Sequence, residues 1–234
     1  MTVTPPTINK SFESTDLLIY GGGGHAKTLI DLVRALNHYY LVGIIDDNLP
    51  AGSHVLGAPV LGGADLLPEL RERGLELAVN AVGGIGNPEV RWRVFEILLQ
   101  AGFTCPAIVH PTACVEPTVE LDGGVQVLAQ SYISSASSVG FGTVINAGVI
   151  ISHDCKLGRC VNLSPGAALA GGVQVGDFAQ LGMNVTVNLN INIGQAARVG
   201  NGATVKADVP PQGRVYAGTI WPARPVPRGE DHVS

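Results

Sequence analysis

The sequence predicts a chain of two parts, a small parallel α/β domain followed by a long parallel β-helix. The main observation is a repeat. Every sixth residue from Val109 to Val205 is Val, Leu or Ile, and a small or β-branched residue follows four positions after each. A period of six fits neither an α-helix nor an amphipathic strand. Before the repeat, strand-like and helix-like patterns alternate, and four glycines directly follow the first predicted strand.

Each hexad is predicted to form a short strand followed by a corner. The small residue of one hexad and the large residue of the next are two positions apart, so both side chains point to the same interior. Gly140, Gly158 and Gly176 recur at every third hexad. We interpret them as one corner of a triangular coil of three hexads, because glycine tolerates the backbone angles of a tight corner. About six coils, each adding roughly 4.8 Å, would form the solenoid.

The pattern divides the chain into four segments. Residues 1–15 are polar and aperiodic, which predicts a loose arm. Residues 16–105 are expected to form a Rossmann-like domain and residues 106–209 the β-helix. The period stops at Pro210-Pro211, so residues 210–234 are expected to be a C-terminal extension.

Within residues 16–105, the alternation of strands and helices favours a small parallel sheet. Gly52 to Gly63 is rich in turn residues and is expected to be a loop. The last predicted helix is expected to turn Val90, Val94, Ile97 and Leu98 toward the sheet. Strands are predicted at 16–20, 41–45 and 75–82, and helices at 27–37, 64–73 and 88–100.

Composition excludes several classes of protein. The 234 residues carry a formal net charge of -5 without a basic stripe, which argues against a nucleic-acid partner. No run of large apolar residues is long enough for a membrane span, and no signal peptide is recognised at the start. The 4 cysteines contain no CxxC pair, which is typical of reduced thiols in a cytoplasmic protein.

The glycine run fits a phosphate-binding loop. Gly21, Gly23 and Ala26 satisfy the pattern G-x-G-x-x-G/A between a strand and a helix, and Asp46 follows the next strand. Backbone amides at a helix start can bind phosphate, and a carboxylate can bind ribose hydroxyls. The domain is only half as long as a dinucleotide fold, so a single nucleotide, such as the diphosphate of an activated sugar, fits better than NAD. The alternative is a glycine-rich turn that binds nothing.

The repeat contains one candidate base. His153, the one histidine between residues 111 and 231, precedes Asp154 at a predicted corner, and the small residues Ser135 and Gly171 lie at the same height in the neighbouring coils. A neutral imidazole oriented by a carboxylate can take a proton from an attacking amine or hydroxyl, as acyl transfer requires. The alternative is an exposed polar corner. The absence of a second histidine nearby argues against a zinc site.

Taken together, residues 17–224 resemble the bacterial sugar acetyltransferases that join a small Rossmann-like domain to a left-handed β-helix. These include the UDP-4-amino-sugar N-acetyltransferase of bacillosamine synthesis, the GDP-perosamine N-acetyltransferase and the sialic acid O-acetyltransferases. The β-helix is expected to be left-handed from this resemblance alone. The markers are Ile19–Lys27 (IYGGGGHAK), Asp46-Asp47, Gly57–Gly62, Val109–Thr112 and Asn146–Pro165 around His153-Asp154.

The resemblance implies an N-acetyltransferase that moves an acetyl group directly from acetyl-CoA to the amine of a nucleotide-linked amino sugar, expected to be a 4-amino-4,6-dideoxy sugar. It implies that His153 is the general base, that Asp154 polarises it, and that no metal takes part. The sites would lie between the subunits of a homotrimer. The implied acetyl-CoA residues are Asn146, Asn162, Gly171, Gly200 and Gly202. The implied nucleotide-sugar residues are Gly21, Gly22, Gly23, Gly24, His25, Lys27, Asp46 and Asp47.

Two departures from the family pattern bear on these expectations. Asn162 stands where some members have a second histidine, and the segment Gly218 to Arg224 is two residues longer than the usual terminal motif. Two alternatives stay open, namely O-acetylation of a sugar hydroxyl and a non-catalytic scaffold. The sequence does not distinguish UDP, TDP and GDP sugars.

Overall fold

The structure is a computed structural model that describes residues 12–83, 85–86 and 88–222. Most of the predicted arm and the end of the C-terminal extension therefore lie outside the described residues. Residues 12–15 are held on the α/β domain, because Phe12 N–H donates to Arg73 O and Thr15 O accepts from Tyr40 N–H. Among the described helices, none is long and apolar enough to cross a lipid bilayer.

The α/β domain has a five-stranded sheet in the order β3-β4-β2-β1-β5. Strand β1 pairs in parallel with both β2 and β5, as the alternating pattern predicts. The first helix begins at Gly24, three residues earlier than expected, so the glycine run itself opens the helix. The elements are β1 (Asp16–Tyr20), α1 (Gly24–Leu36), β2 (Tyr40–Ile45), β3 (His54–Val55), β4 (Ala58–Gly62), a 3-10 turn (Ala64–Leu66), α2 (Leu67–Glu72), β5 (Leu77–Asn80) and α3 (Pro88–Gln100).

The prediction of a loop from Gly52 to Gly63 is wrong. This segment forms the β3–β4 hairpin, and β4 adds to the sheet in parallel beside β2. The strand forms because its apolar residues have a place in the core, where Val60 is fully buried and Leu61 is nearly so. Flanking glycines and Pro59 made this short strand look like a turn.

Helix α3 buries a face that only partly overlaps the predicted one. Val94 and Leu98 are buried as expected, but Val90 is 43% exposed and the fully buried positions include Arg91 and Phe95. These four buried residues follow the helical spacing of i, i+3, i+4 and i+7. The charge of Arg91 concealed its burial, because a helix packed between two domains can bury an arginine that satisfies backbone carbonyls.

The β-helix consists of two-residue strands that repeat along three walls. In chain order they are β6 (Ile108–Val109), β7 (Cys114–Val115), β8 (Glu120–Leu121), β9 (Gln126–Val127), β10 (Tyr132–Ile133), β11 (Ser138–Val139), β12 (Val144–Ile145), β13 (Ile150–Ile151), β14 (Lys156–Leu157), β15 (Asn162–Leu163), β16 (Ala168–Leu169), β17 (Gln174–Val175), β18 (Gln180–Leu181), β19 (Thr186–Val187), β20 (Asn192–Ile193), β21 (Arg198–Val199), β22 (Thr204–Val205), β23 (Arg214–Val215) and β24 (Ile220–Trp221).

The three walls are parallel sheets, and the β-helix is left-handed. The first wall contains β6, β9, β12, β15, β18, β21 and β23. The second contains β7, β10, β13, β16, β19, β22 and β24, and the third contains β8, β11, β14, β17 and β20. Each strand pairs with the strand three hexads further along the chain, as in the pairing of Tyr132 with Ile150. One coil therefore comprises three hexads, as predicted.

The large and small residues of the hexads form the interior, as predicted. Both sets belong to one hydrophobic cluster that continues from coil to coil. The polar members of the small set are also satisfied. Ser131, Ser137 and Thr143 each donate a hydrogen bond to a backbone carbonyl 15 residues ahead, at 2.8, 3.1 and 2.8 Å. Buried hydroxyls therefore add no unpaired groups to this core.

The repeated corner glycines are needed for close stacking. Gly140, Gly158 and Gly176 have no positive φ, so the conformational reason predicted for them is wrong. A Cβ at Gly140 would lie 2.7 Å from the carbonyl carbon of Gly158 in the next coil. Glycine is thus required at this corner because successive coils approach each other too closely for a side chain.

The C-terminal extension continues the stack beyond Val209, although the hexad pattern stops there. Strands β23 and β24 pair in parallel with β21 and β22, as in Arg198 with Arg214 and Thr204 with Ile220. The indole N–H of Trp221 donates to Asp208 O at 3.0 Å. By this register, the last coil is two residues shorter than the others.

The two domains meet along α3. Phe95 lies against Gly124 and Gly142, where added Cβ atoms would be 2.8 and 2.6 Å from its ring. The guanidinium of Arg91 reaches the β-helix and donates from Nε to Gly142 O at 3.0 Å. Trp92 packs edge-on against Phe141. The two glycines let the Phe95 ring contact the β-helix backbone directly, so the two domains pack without a gap at this point.

Candidate active site

His153 and Asp154 lie at the corner between the second and third walls, after β13. Imidazole Nδ1 is 2.7 Å from Asp154 Oδ2, and the two side chains are 62% and 65% exposed. Asp154 has a left-handed backbone with φ of 60°, and its N–H donates to Ser135 O. The turn of the chain at this residue brings two consecutive side chains together on the outer surface, so the predicted pair is formed.

Gly171 lies directly beneath the imidazole, one coil further on. A Cβ at this position would be 2.6 Å from His153 Cε1, so a side chain would displace the ring. The same positions in neighbouring coils carry Ser135 and Leu189. The equivalent positions thus tolerate a side chain, whereas position 171 lacks room for one because His153 lies against it.

The absence of a side chain at Gly171 also leaves the N–H of His153 without an acceptor in the next coil, and Leu189 supplies none for the N–H of Gly171. At equivalent corners, Asp177 accepts the N–H of Arg159 at 3.0 Å, and Asn201 accepts the N–H of Met183 at 2.9 Å. The N–H groups of His153 and Gly171 have no acceptor within the described part of the chain. A base beside unpaired amide donors can accept a proton while a developing negative oxygen is stabilised.

The glycine run forms an open loop between β1 and α1. Gly21 has φ of 103°, which glycine adopts without strain. Nothing lies within 4 Å of a Cβ built at Gly23 or Gly24. Helix α1 has no side-chain cap and no acidic residue in its first turn. Its first amides are therefore free to meet an anion such as a phosphate.

Asp46 and Asp47 lie beside this loop, and their hydrogen bonds hold it in place. Asp46 accepts the N–H of Gly22 at 2.7 Å and the N–H groups of the two residues after Asp47. Asp47 accepts the Tyr20 hydroxyl at 2.7 Å and the Ala64 N–H at 2.8 Å. Burial and the neighbouring Asp47 raise the pKa of Tyr20. The carboxylates expected to meet a ribose thus also order the loop, while Lys27 is exposed on α1.

His25, the second residue of α1, contacts the β-helix. Its Nε2 is 2.8 Å from Gln126 Oε1 on the outward side of β9. Burial lowers the pKa of His25, the hydrogen bond to Gln126 raises it, and the charge of Arg91 lowers it further. The imidazole is therefore neutral near neutral pH. It joins the glycine loop to the first wall of the β-helix.

A groove of about 490 Å³ runs along the first wall. Its lining includes the predicted residues Asn162 and Gly200, together with Gln180, Arg198 and Arg214. The predicted residues Asn146 and Gly202 are not in this lining. They follow strands of the first wall, at the corner between the first and second walls. Within one chain, the structure therefore places the predicted acetyl-CoA residues at two neighbouring corners, with Gly171 beside His153 and the others near the first wall.

Sequence analysis missed several polar residues of the first wall and the junction. The missed residues Gln126, Gln180 and Arg198, together with the predicted Asn162, are each the outward residue of their strand, and the four follow one another at intervals of one or two full coils. That column of polar residues was a readable signal for a functional wall. Arg91 had no comparable signal, because its partners are backbone carbonyls.

The described residues contain no group of three His, Cys, Asp or Glu side chains that could hold a metal ion. Cys105, Cys155 and Cys160 are buried free thiols, and Cys114 is exposed. Burial raises the pKa of Cys105 to about 12 and that of Cys160 to about 11. These two thiols are protonated at neutral pH and are poor nucleophiles.

A left-handed hexapeptide β-helix with an exposed His–Asp pair and a groove along one wall is typical of the hexapeptide-repeat acyltransferases. The model of the PglD N-terminal domain family matches residues 16–98. Among solved structures, the chain is 36% identical to a variant of perosamine N-acetyltransferase from Caulobacter crescentus in complex with CoA and GDP-perosamine. The match has a TM-score of 0.81 and covers 88% of this chain and 95% of that one.

Two further solved structures are similar. One is the acetyltransferase domain of PglB from Neisseria gonorrhoeae in complex with acetyl coenzyme A, at 30% identity and a TM-score of 0.81, covering 92% of this chain and 100% of that one. The other is WeeI from Acinetobacter baumannii, at 25% identity and a TM-score of 0.77, covering 89% and 98%. The chain belongs to the family of nucleotide-sugar acetyltransferases that carry a PglD-type N-terminal domain. It is an acetyltransferase, as the resemblance implied.

Proposed function

We propose that this enzyme transfers an acetyl group from acetyl-CoA to the amino group of a nucleotide-linked amino sugar of the 4-amino-4,6-dideoxy type. The observation that carries this proposal is the exposed His153–Asp154 pair above Gly171. The similarity to an enzyme bound to CoA and GDP-perosamine supports both substrate classes. The open amides of the glycine loop supply donors for the diphosphate of the sugar nucleotide.

In this mechanism Asp154 accepts the Nδ1 hydrogen of His153, so Nε2 keeps a lone pair. The unprotonated sugar amine attacks the thioester carbonyl carbon, and Nε2 removes the proton that the nitrogen loses. The amide N–H of Gly171 stabilises the negative oxygen of the tetrahedral intermediate. The C–S bond then breaks, and the leaving thiolate of CoA takes the proton from the imidazolium.

Direct transfer fits the cysteines of the chain. Cys155 is the free thiol next to the His–Asp pair, but it lies in the core and its Sγ hydrogen points to Ala170 O at 3.3 Å. Burial raises its pKa. A thiol in this environment is inert, so Cys155 is not a nucleophile for a covalent acyl-enzyme.

The groove of the first wall supplies the proposed site for the rest of acetyl-CoA. Arg198 and Arg214 are stacked on neighbouring coils at one end of it. Guanidinium groups pair with phosphates through charge-assisted hydrogen bonds. Asn162 is buried in this lining and donates to Ser164 Oγ at 3.2 Å. We propose that it shapes the groove where some members of the family have a histidine.

We also propose a homotrimer. The outward residues of the second wall are all uncharged, and three of them are large exposed apolar residues. The row is Cys114, Tyr132, Ile150, Ala168, Thr186, Thr204 and Ile220. The His153 corner and the Asn146 corner are the two edges of this wall. Packing three second walls around an axis would bring the His153 edge of one copy beside the Asn146 edge of its neighbour, and so unite the separated residues.

The activity is tested by measuring thiol release from acetyl-CoA with UDP-, TDP- and GDP-linked 4-amino sugars and with hydroxyl acceptors such as sialic acid. We expect release with at least one 4-amino sugar nucleotide. Release with hydroxyl acceptors alone would replace N-acetylation by O-acetylation, and no release with any acceptor would favour a scaffold. The expected setting is polysaccharide biosynthesis in the cytoplasm, where acetyl-CoA is available.

A further inference from the structure

Gln126 connects the two domains through both ends of its amide. It is the outward residue of β9 and is 1% exposed. Its Oε1 is 2.8 Å from His25 Nε2, and its Nε2 donates to the backbone oxygen of Asn80 at 2.7 Å. Asn80 is fully buried and donates from Nδ2 to Arg91 O. The β-helix therefore contacts the glycine loop through a short chain of buried hydrogen bonds.

These hydrogen bonds determine which nitrogen of the His25 ring carries the hydrogen. The backbone oxygen of Asn80 can only accept, so Gln126 must present its NH₂ group to Asn80 and its oxygen to His25. The ring atom that faces an oxygen must carry a hydrogen, so His25 Nε2 is protonated. A neutral imidazole has only one ring hydrogen, and its other nitrogen, Nδ1, is then an acceptor. The lowered pKa of His25 keeps the ring neutral.

The Nδ1 atom is available to a ligand. It has no hydrogen-bond partner among the described residues. Among the described residues, every buried side-chain nitrogen or oxygen has a hydrogen-bond partner except Arg91 Nη2. Since Nδ1 of His25 has no partner, it is not one of these buried atoms and is open to solvent. His25 directly follows Gly23 and Gly24, whose amides can only donate. The loop thus combines several N–H donors with one side-chain acceptor.

We propose that Gln126 is a positioning residue that holds His25 in the Nε2–H tautomer, so that Nδ1 accepts a hydrogen bond from a hydroxyl or amino group on the hexose of the bound nucleotide sugar. This inference rests on the proposed function and adds a β-helix residue to the nucleotide-sugar pocket. Phosphate oxygens cannot donate, so they bind the loop amides and not Nδ1. The site then distinguishes a nucleotide sugar from its nucleoside diphosphate at one defined atom.

The tautomer is tested in the ligand-free protein by ¹⁵N NMR of labelled histidines, with His25 assigned from the spectrum of His25→Asn. We expect Nε2 to be protonated and Nδ1 unprotonated in the native protein, and both tautomers to be populated in Gln126→Met. Gln174→Met is the matched control, because Gln174 is exposed on the third wall and has no side-chain hydrogen bond in the described part. A native His25 protonated at Nδ1 would overturn the inference.

The role in binding is tested by calorimetry with the UDP-, TDP- and GDP-linked 4-amino sugars and their nucleoside diphosphates. For whichever sugar nucleotide the native protein binds, we expect Gln126→Met to weaken binding about tenfold, roughly the value of one hydrogen bond, because the His25 ring loses both its fixed orientation and its fixed tautomer. The affinities for the nucleoside diphosphate and for CoA should change by less than about twofold, because neither ligand makes the hydrogen bond to Nδ1.

A double-mutant cycle separates a positioning role from a structural one. In the His25→Ala background, Gln126→Met should cause almost no further loss of sugar-nucleotide affinity. An equal loss in both backgrounds would show that Gln126 acts through the fold and would overturn the inference. If the native protein binds none of the sugar nucleotides, the proposed substrate and the ligand role of Nδ1 both fail, while the NMR spectrum still decides the tautomer.

Discussion

The two histidines of the site have opposite surroundings. His153 is exposed on a corner of the β-helix, and its partner is the next residue in the chain. His25 is largely buried between the domains, and its partner, Gln126, is 101 residues away. The first can lose its side chain without opening a cavity, whereas the second belongs to a network that also fixes backbone carbonyls. The proposed mechanism therefore assigns proton transfer and substrate positioning to regions with different demands on stability.

The largest expected effect is on turnover at the exposed histidine. His153→Ala should lower kcat by about 10³-fold, because general-base catalysis contributes roughly 10² to 10⁴. The melting temperature should stay unchanged, since the side chain is mostly solvated. Thiol release and thermal unfolding measure the two effects. His110→Ala, which removes a histidine from the first coil, is the control and should keep full activity. Native turnover in His153→Ala would exclude this residue as the base.

A slightly smaller effect is expected from the glycine beneath that histidine. Gly171→Ala places a Cβ where the imidazole now lies, and a displacement of about 1 Å can cost roughly 100-fold in rate. The coil should fold normally, because Leu189 occupies the equivalent position one coil further on. Ser135→Ala, at the equivalent position one coil earlier, should be neutral. Turnover close to native in Gly171→Ala would show that the ring position is not critical.

The third expected effect is a loss of stability when the junction between the two domains is altered. Arg91→Met removes hydrogen bonds to Gly142 O, Asn80 O and Val82 O, and leaves these buried carbonyls without that donor. We expect a loss of about 2 kcal/mol in the free energy of unfolding, because release of a desolvated charge offsets part of the cost. Chemical denaturation measures it. Arg93→Met, on the exposed side of the same helix, should change stability by less than about 0.5 kcal/mol.

The smallest effect is a pH dependence at His25. Its folded pKa is lowered from 6.5, so below that pH the unfolded chain binds a proton that the folded chain does not. Stability should therefore fall as the pH drops below 6.5, by at most about 1.4 kcal/mol per pH unit. Denaturation of the native protein and of His25→Gln between pH 7 and 5 isolates this contribution. Identical pH dependences in the two proteins would contradict the buried, neutral histidine.

The sequence predicted the parts of the molecule that depend on local pattern. The hexads specify the coils, and the pair of His153 and Asp154 is formed by neighbours whose corner position follows from the period. Contacts between domains were not predictable in this way. Gln126 and Arg91 acquire their roles from backbone carbonyls that only the folded junction brings near. The strand β4 was missed because the pairing with β2 overrides its turn-like composition.

The short last coil has a consequence for growth of the solenoid. The end of a β-helix exposes strand edges that can recruit further strands and lead to fibres. Here Val209 pairs with Ile193, because its backbone accepts the N–H of Gly194 and donates to Asn192 O. Pro210 and Pro211 lack the N–H needed to extend the ladder. Trp221 then ties the shortened coil to Asp208. Addition of a further strand to the third wall at this end is therefore discouraged.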